Sequence, residues 1–413
     1  MNNKSLKSRY RAIPFANRIL LWMFAGAVAG LVFGKDALVV KPLGDLFLQL
    51  LIMAAIPLVF LNLLAGITSL GSLKDLGKIG GKIMLWYIFS LLIASILGIL
   101  VMSISGAGKG MTFTGAITPG IGEMPSFSDI LLGMVPSNIF KSFAEGNLIQ
   151  IVVFAILLSI VVLKMPGDQA EPFTRAFNKL ATLMRKLVEL ILTLSPLCLG
   201  ALMAATFGAF GSSVIFSLGK FIISIYTAQL LMVGLYIILL KSLAGISARW
   251  FFAKTREIYA TTIATCSSLA SLAVAMEVAE TKMKLPRKVF AFALPMGAQF
   301  NKDGTAIMLS GILIFTAQAI GLKFSFGELI QIVLVGLLIV EGSTGIPGGG
   351  LVTAMLFAKA FNLPLEIVAI VGGIYRLIDM GNTTINVMGD MAVATIVSKT
   401  DTDWQPEPLK RSS

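Results

Sequence analysis

The feature that most constrains this chain is the recurrence of apolar segments long enough to cross a bilayer. A transmembrane helix needs about 20 predominantly apolar residues. Charged residues make up only 13% of the 413 residues, against roughly 25% in soluble domains. The sequence therefore predicts an all-α integral membrane protein with eight transmembrane helices. These spans lie near residues 17–34, 44–70, 83–103, 147–165, 182–210, 216–242, 286–319 and 364–397.

The basic residues indicate the orientation of these helices. They cluster before the first span, after the second, fourth and sixth spans, and before the seventh, whereas segment 104–140 contains only Lys109. Because cytoplasmic loops carry an excess of Lys and Arg, both termini are expected in the cytoplasm and the chain in the inner (cytoplasmic) membrane. The net charge of +12 is then a topology signal, and no nucleic-acid partner is expected.

The rarity of reactive side chains limits the chemistry. The chain has no histidine and two cysteines, Cys198 and Cys266, in apolar surroundings that do not suggest a disulfide framework. The serines of CSSLAS (266–271) lack a histidine or an evident lysine to act as base. We therefore expect neither an enzyme nor an organic cofactor.

Two segments in the second half of the chain are too interrupted to span simply. They contain CSSLASLAVA (266–275) and EGSTGIPGGG (341–350), and a long helix with charged residues follows each. Matched interrupted segments in two inverted repeats are the best sequence indication of a transporter's binding site. Two re-entrant hairpins around a ligand are thus expected; re-entrant loops without a ligand are the alternative.

The last span carries a polar stripe. Its members fall within an arc of about 80° on a helix: Arg376, Asp379, Thr383, Asn386 and Asp390. Charge facing lipid costs several kcal/mol, so the stripe must face protein, water or a ligand. An interhelical network with an Arg376–Asp379 pair would satisfy two of these residues but would not explain Asp390. A carboxylate with amide and backbone oxygens nearby suits a hard cation.

Several of these motifs resemble those of the glutamate-transporter (dicarboxylate/amino acid:cation symporter) family, in the right order and along nearly the whole chain. NKDGT (301–305) is close to the family's N-M-D-G-T, and CSSLAS and GSTGIPGGG (342–350) look like its two hairpin tips. DMGNTTINVMGD (379–390) is similar to its eighth helix and PLGDLFLQLLIMAAIPLVF (42–60) to its second.

This resemblance implies a homotrimer of elevator-type transporters. A static scaffold would comprise helices 1 and 2 (residues 1–81) and helices 4 and 5 (106–212). The moving transport domain would comprise helix 3 (82–105) and residues 213–400, with helix 6, hairpin 1, helix 7, hairpin 2 and helix 8. Residues 401–413 would form a cytoplasmic tail.

The resemblance also implies cation sites, with Na⁺ or H⁺ as coupling ions. One site would use Gly297, Asn301, Asn386 and Asp390, and a deeper one would use Tyr87, Ser90, Asn301 and Asp303. In the deeper site the family's Thr-Ser pair is Ser90–Leu91, so one oxygen ligand is missing.

A third implied cation site is the most altered, because Lys302 and Glu341 map to opposite sides of it. Their ion pair would take the place of one sodium ion, lowering the sodium dependence, and protonation of Glu341 would then offer proton coupling. The alternative is that Lys302 extends to water and Glu341 stays solvated.

The substrate cavity would lie between the hairpin tips and the last two helices. Hydrogen bonds would come from Ser267, Ser268, Thr305, Gly345 and Asn386, and Thr383 lies on the same face of the last helix. Asp379 matches a residue that holds an amino group, and Asn382 stands where relatives for acidic amino acids carry an arginine.

Two substrate classes follow. With a neutral Asn382, the carrier would take small neutral amino acids, such as serine or alanine, with sodium. With Arg376 supplying the missing charge, it would take a small carboxylate such as fumarate, succinate or aspartate; we favour this class. An ion channel is a remote alternative, because a channel needs neither a substrate aspartate nor two occluding hairpins.

Overall fold

The structure is a computed structural model that describes residues 15–69, 77–109, 135–145, 148–210, 213–341 and 349–407. Within these ranges the chain forms fifteen α-helices and no β-strand. The first seven are α1 (Phe15–Phe33), α2 (Lys41–Thr68), α3 (Gly77–Ser105), α4 (Ile139–Glu145), α5 (Leu148–Lys164), α6 (Gly167–Leu192) and α7 (Ser195–Phe210). The other eight are α8 (Ser213–Ala244), α9 (Ala248–Thr265), α10 (Ser268–Glu277), α11 (Arg287–Phe300), α12 (Asp303–Ala319), α13 (Phe326–Glu341), α14 (Gly349–Ala360) and α15 (Leu365–Asp401).

Only some of the predicted spans are single, uninterrupted apolar helices. In the described residues, three stretches are long and apolar enough to cross a membrane: Asn17–Phe47, Ile79–Ser105 and Ile215–Ala244. A fourth is the pair Gly167–Ile191 and Ser195–Ala209, bent by 57°. The span predicted near 182–210 is thus divided at this bend. The span predicted near 286–319 is divided too, into α11 and α12.

The helices pack in two groups that are largely separate. α1 lies along α7, and α2 contacts α5, α6 and α7, whereas α3, α8, α11 and α12 pack around α15 or one another. Small residues allow the closest approaches: a Cβ at Gly26 of α1 would overlap the backbone of Gly200 in α7. Such small residues let membrane helices approach closely in the absence of a hydrophobic driving force between them.

Both interrupted segments form helix pairs. α9 ends at Thr265, and its C-cap Cys266 is left-handed, with a φ of 49°. Ser267 then caps α10 by accepting a hydrogen bond from the Ala270 amide at 3.2 Å. α13 and α14 flank residues 342–348, which lie outside the described residues. The predicted contributions of Gly345 and of the Glu341 side chain therefore stay predictions.

Candidate functional site

The break between α11 and α12 places three consecutive polar residues inside the protein. Asn301 has extended backbone angles (φ −88°, ψ 106°), which end α11, and α12 begins at Asp303. Asn301, Lys302 and Asp303 are each at most 1% exposed. A broken helix at membrane depth requires that its freed polar groups face protein or a cavity. The NKDGT sequence is therefore an interior polar centre.

Asn301 connects this break to α3 and α15. Its Nδ2 donates to Asp390 Oδ1 at 3.0 Å, and the Ser90 hydroxyl donates to its Oδ1 at 3.1 Å. The Asp390 carboxylate lies so close to α11 that a Cβ at Gly297 would overlap it. The structure thus brings together Ser90, Gly297, Asn301 and Asp390, four of the residues predicted to hold cations.

Two tyrosines close this cluster. The Tyr87 hydroxyl donates to the Ala293 carbonyl at 2.8 Å and lies 2.8 Å from the position of a Cβ on Gly297. The Tyr236 hydroxyl donates to Asp303 Oδ2. The other Asp303 oxygen, Oδ1, is buried and makes no hydrogen bond of ordinary geometry within the described residues. Ser90 and Asn301 lie within reach of the same carboxylate, so Asp303 belongs to this cluster.

The sequence analysis missed Tyr236. It lies between Leu235 and Ile237 in an apolar part of α8, and nothing local distinguishes it from a tyrosine that faces lipid. An indirect signal lies opposite it, at Gly389. A Cβ there would sit 2.5 Å from the Tyr236 hydroxyl and 2.8 Å from Asn301 Nδ2 and Asp303 Oδ2.

Asn386 caps α12 from the neighbouring helix. Its Oδ1 accepts the Gly304 amide at 2.8 Å, and its Nδ2 lies 3.4 Å from the Thr305 hydroxyl. The first amides of a helix have no intrahelical partner, so this contact satisfies one of them. Asn386 and Thr305, both predicted to serve the site, are therefore neighbours.

Arg376 and Asp379 lie beside the tip of the first hairpin. Arg376 Nη2 donates to the Ala264 carbonyl at 3.1 Å, and both side chains are within electrostatic range of Cys266. The Tyr375 hydroxyl donates to Asp379 Oδ1 at 2.8 Å. Ser267 and Ser268, at the start of α10, are buried at the same tip.

Tyr375 is a second tyrosine that sequence reasoning missed. A Cβ at Gly350 would lie 2.5 Å from its hydroxyl. Gly350 is the second residue of α14, which follows residues 342–348, so Tyr375 connects the second hairpin with Asp379.

Asn382 is engaged with other helices. Its Oδ1 accepts from Gln229 Nε2 at 2.9 Å, and its Nδ2 lies 3.1 Å from the Met308 sulfur. Both ends of the amide are thus occupied by α8 and α12, while Thr383 beside it is buried. Asn382 shapes the wall of the site, and Arg376 places a positive charge at the hairpin tip.

The two halves of the site differ in chemistry. Around Asn301, two carboxylates combine with amide, hydroxyl and backbone oxygens, the ligand set of a hard cation. Around the first hairpin tip, a guanidinium and a carboxylate stand beside the N-terminus of α10. A helix N-terminus favours anions. The arrangement suits a small carboxylate on one side and a cation on the other.

Comparison with known proteins identifies the family that this chain resembles. Residues 15–400 match the model of the "Sodium:dicarboxylate symporter family". A proton/sodium-glutamate symport protein of Bacillus caldotenax is 28% identical over 97% of this chain and 98% of its own length. The C4-dicarboxylate transport protein of Bacillus subtilis is 27% identical, covering 94% and 93%. That of Rhizobium johnstonii is 30% identical, covering 93% and 89%.

Proposed function

The chain belongs to the sodium:dicarboxylate symporter family, and we propose that it is a cation-coupled symporter that moves a C4-dicarboxylate across the membrane. The family and the names of its relatives indicate a transporter and not an enzyme. At the level of the family, the coupling ions are Na⁺ or H⁺. The finer assignment of substrate and site rests on Arg376, on Asp379 and on the cluster around Asn301.

The position of Arg376 carries the proposal for a dicarboxylate. Its guanidinium is anchored on the Ala264 carbonyl at the hairpin tip and shares that tip with Asp379. A guanidinium is a planar fork of donors that matches a carboxylate. A second substrate carboxylate would meet the N-terminus of α10 at Ser267 and Ser268, with further donors at Thr305, Asn386 and the backbone of Gly345.

A neutral amino acid is the second candidate, and Asp379 is the residue that favours it. The Asp379 carboxylate would accept a substrate ammonium, and Tyr375 holds one of its oxygens at 2.8 Å. In a dicarboxylate carrier Asp379 instead moderates the charge of Arg376. The two candidates therefore differ in whether Asp379 or Arg376 contacts the substrate.

The coupling cation is assigned to the cluster around Asn301. One group of ligands is Gly297, Asn301, Asn386 and Asp390, and a deeper group is Tyr87, Ser90, Asn301 and Asp303. The observation that supports this is the burial of Asp303 beside Tyr236, Ser90 and Asn301. Its Oδ1 makes no hydrogen bond of ordinary geometry in the described residues. Tyr236 joins the deeper group as a donor to Asp303.

The proposed movement is that of an elevator in each protomer of a homotrimer in the inner membrane, with both termini cytoplasmic. The division into scaffold (1–81 and 106–212) and transport domain (82–105 and 213–400) accords with the packing. α3 contacts α8 and α12 extensively, although it lies between α2 and α4 in the chain.

Uptake into proteoliposomes tests the substrate. We expect labelled fumarate to enter with a cation gradient, and succinate but not serine to compete with it. Arg376→Gln is expected to raise the KM for fumarate by about tenfold or more, because a hydrogen bond to a charged group contributes about 1.5–3 kcal/mol. Arg256→Gln is the control, since Arg256 is exposed on α9. Competition by serine alone would favour the amino acid candidate.

A further inference from the structure

Within the described residues, Lys302 is the one ammonium buried among the proposed cation ligands around Asn301, which we call the cation cluster. It is 1% exposed and among the largest fully buried side chains. The alternative that it extends to water is therefore excluded in this structure. Its predicted partner, the Glu341 side chain, lies outside the described residues. The contacts that the structure describes are those with α11 and with the buried carboxylates.

The ammonium of Lys302 occupies the C-terminal end of a half-helix. Its Nζ donates to the carbonyl of Ala298, in the last turn of α11. The last four carbonyls of a helix have no intrahelical donor, and this end of the helix favours positive charge. In transporters with broken helices, such carbonyls coordinate the transported cation. Lys302 thus places a positive charge at a helix end of the kind that coordinates cations in such transporters.

The same ammonium acts on the buried carboxylates. It lies within electrostatic range of Asp390, which is hydrogen-bonded to Asn301, and it precedes Asp303 in the chain. When both carboxylates are ionised, Lys302 leaves the cluster with one net negative charge instead of two. An unpaired buried charge is far more costly than a paired one. One cation fewer is therefore needed to neutralise the cluster.

We propose that Lys302 is a built-in cation: its ammonium permanently occupies one cation position, so that the carrier binds one exchangeable cation fewer than the same chain with an uncharged residue there. The expected change in transport depends on the proposed symport function. The expected change in cation binding depends only on the structure.

The test replaces Lys302 with methionine, which has a similar length and no charge. In proteoliposomes, Lys302→Met is expected to make uptake depend more steeply on sodium and to raise the measured ion-to-substrate ratio by one ion. Lys302→Arg, which keeps the charge, is expected to retain the ratio of the unchanged protein. Lys323→Met is the control, because Lys323 is exposed beyond the far end of α12. An active Lys302→Met carrier with an unchanged ion-to-substrate ratio overturns the proposal.

A binding measurement separates this proposal from the proposed transport function. The melting temperature of purified protein is compared in sodium and in choline. Sodium is expected to stabilise Lys302→Met more than the unchanged protein, because the ion takes the place of the ammonium. A Lys302→Met protein that folds only in sodium supports the proposal. One that is equally unstable in both salts contradicts it, whichever substrate is carried.

Discussion

Tyr236 shows how a single hydroxyl supports the cation cluster. Its donor satisfies Asp303 Oδ2, and the absence of a side chain at Gly389 leaves room for this contact. The bond holds the carboxylate in one orientation, with its second oxygen directed to the other side. A cation ligand must be oriented in this way before it can bind an ion with a defined geometry.

Removal of this hydroxyl is therefore expected to weaken cation binding. Tyr236→Phe should raise the cation concentration for half-maximal uptake by about tenfold, as expected for loss of a hydrogen bond to a charged group. Uptake at saturating cation should change little, and the measurement is uptake against cation concentration. Tyr226→Phe is the matched control on the same helix, because the Tyr226 hydroxyl donates to the Leu377 carbonyl at 2.6 Å. An equal effect of both substitutions would assign Tyr236 a structural role only.

At the scale of the element, the segment that follows α15 packs against the first hairpin. Trp404 is 9% exposed, and its ring lies 6.1 Å from that of Trp250, at the start of α9. Trp250 Nε1 donates to the Glu407 carbonyl at 2.7 Å, and the Glu407 carboxylate pairs with Lys284 at 2.6 Å. Residues 402–407 thus fasten the first hairpin to the end of α15. The predicted tail of 401–413 begins with this packed segment.

Loss of this segment is expected to destabilise the first hairpin. Trp404→Ala should lower stability by about 3 kcal/mol, within the range for large-to-small substitutions in a core. The measurements are the melting temperature in detergent and the rate of proteolysis near α9. Trp22→Ala is the control, since Trp22 is 37% exposed on α1. If the two variants have the same melting temperature, the contact of Trp404 with Trp250 contributes little to stability.

At the scale of the whole molecule, one approach between the two helix groups is that of α2 to α11. A Cβ at Gly66 would lie 3.1 Å from Cγ of Gln299. Disulfides require Cβ atoms about 3.5–4.5 Å apart, so cysteines at these two positions are close enough to join. If the groups slide past one another during transport, a covalent bond here must stop them.

The expected result is a reversible arrest of transport. Gly66→Cys combined with Gln299→Cys, in a background with Cys198 and Cys266 replaced by serine, should lose uptake on oxidation and regain it on reduction. The two single-cysteine variants, treated in the same way, serve as controls. If the cross-linked protein transports as fast as the same protein after reduction of the disulfide, an elevator with α2 and α11 in different units is contradicted.

The outcome of the sequence analysis depended on whether the signal was local. The break at Cys266 could be predicted because small polar residues interrupt an apolar run there. The span predicted near 286–319 did not include the break at Asn301–Lys302. The contacts of Tyr236 and Gln229 could not be predicted, because apolar residues adjoin each of them on α8 and nothing local indicates a partner. Their partners lie 67 and 153 residues away. Which face of a helix meets which neighbour is set by packing.

The sequence by itself determined the helical membrane class, the family, the broken segments and the polar residues of the last helix. These follow from composition, periodicity and motifs, which are properties of residues close together in the sequence. Only the tertiary structure decided that Asn382 is engaged by Gln229, that Arg376 stands at the hairpin tip, and that Lys302 lies buried on a carbonyl of α11. The physical reason is that a buried charge selects its partner by distance in three dimensions, and that distance exists only once the broken helices have packed together.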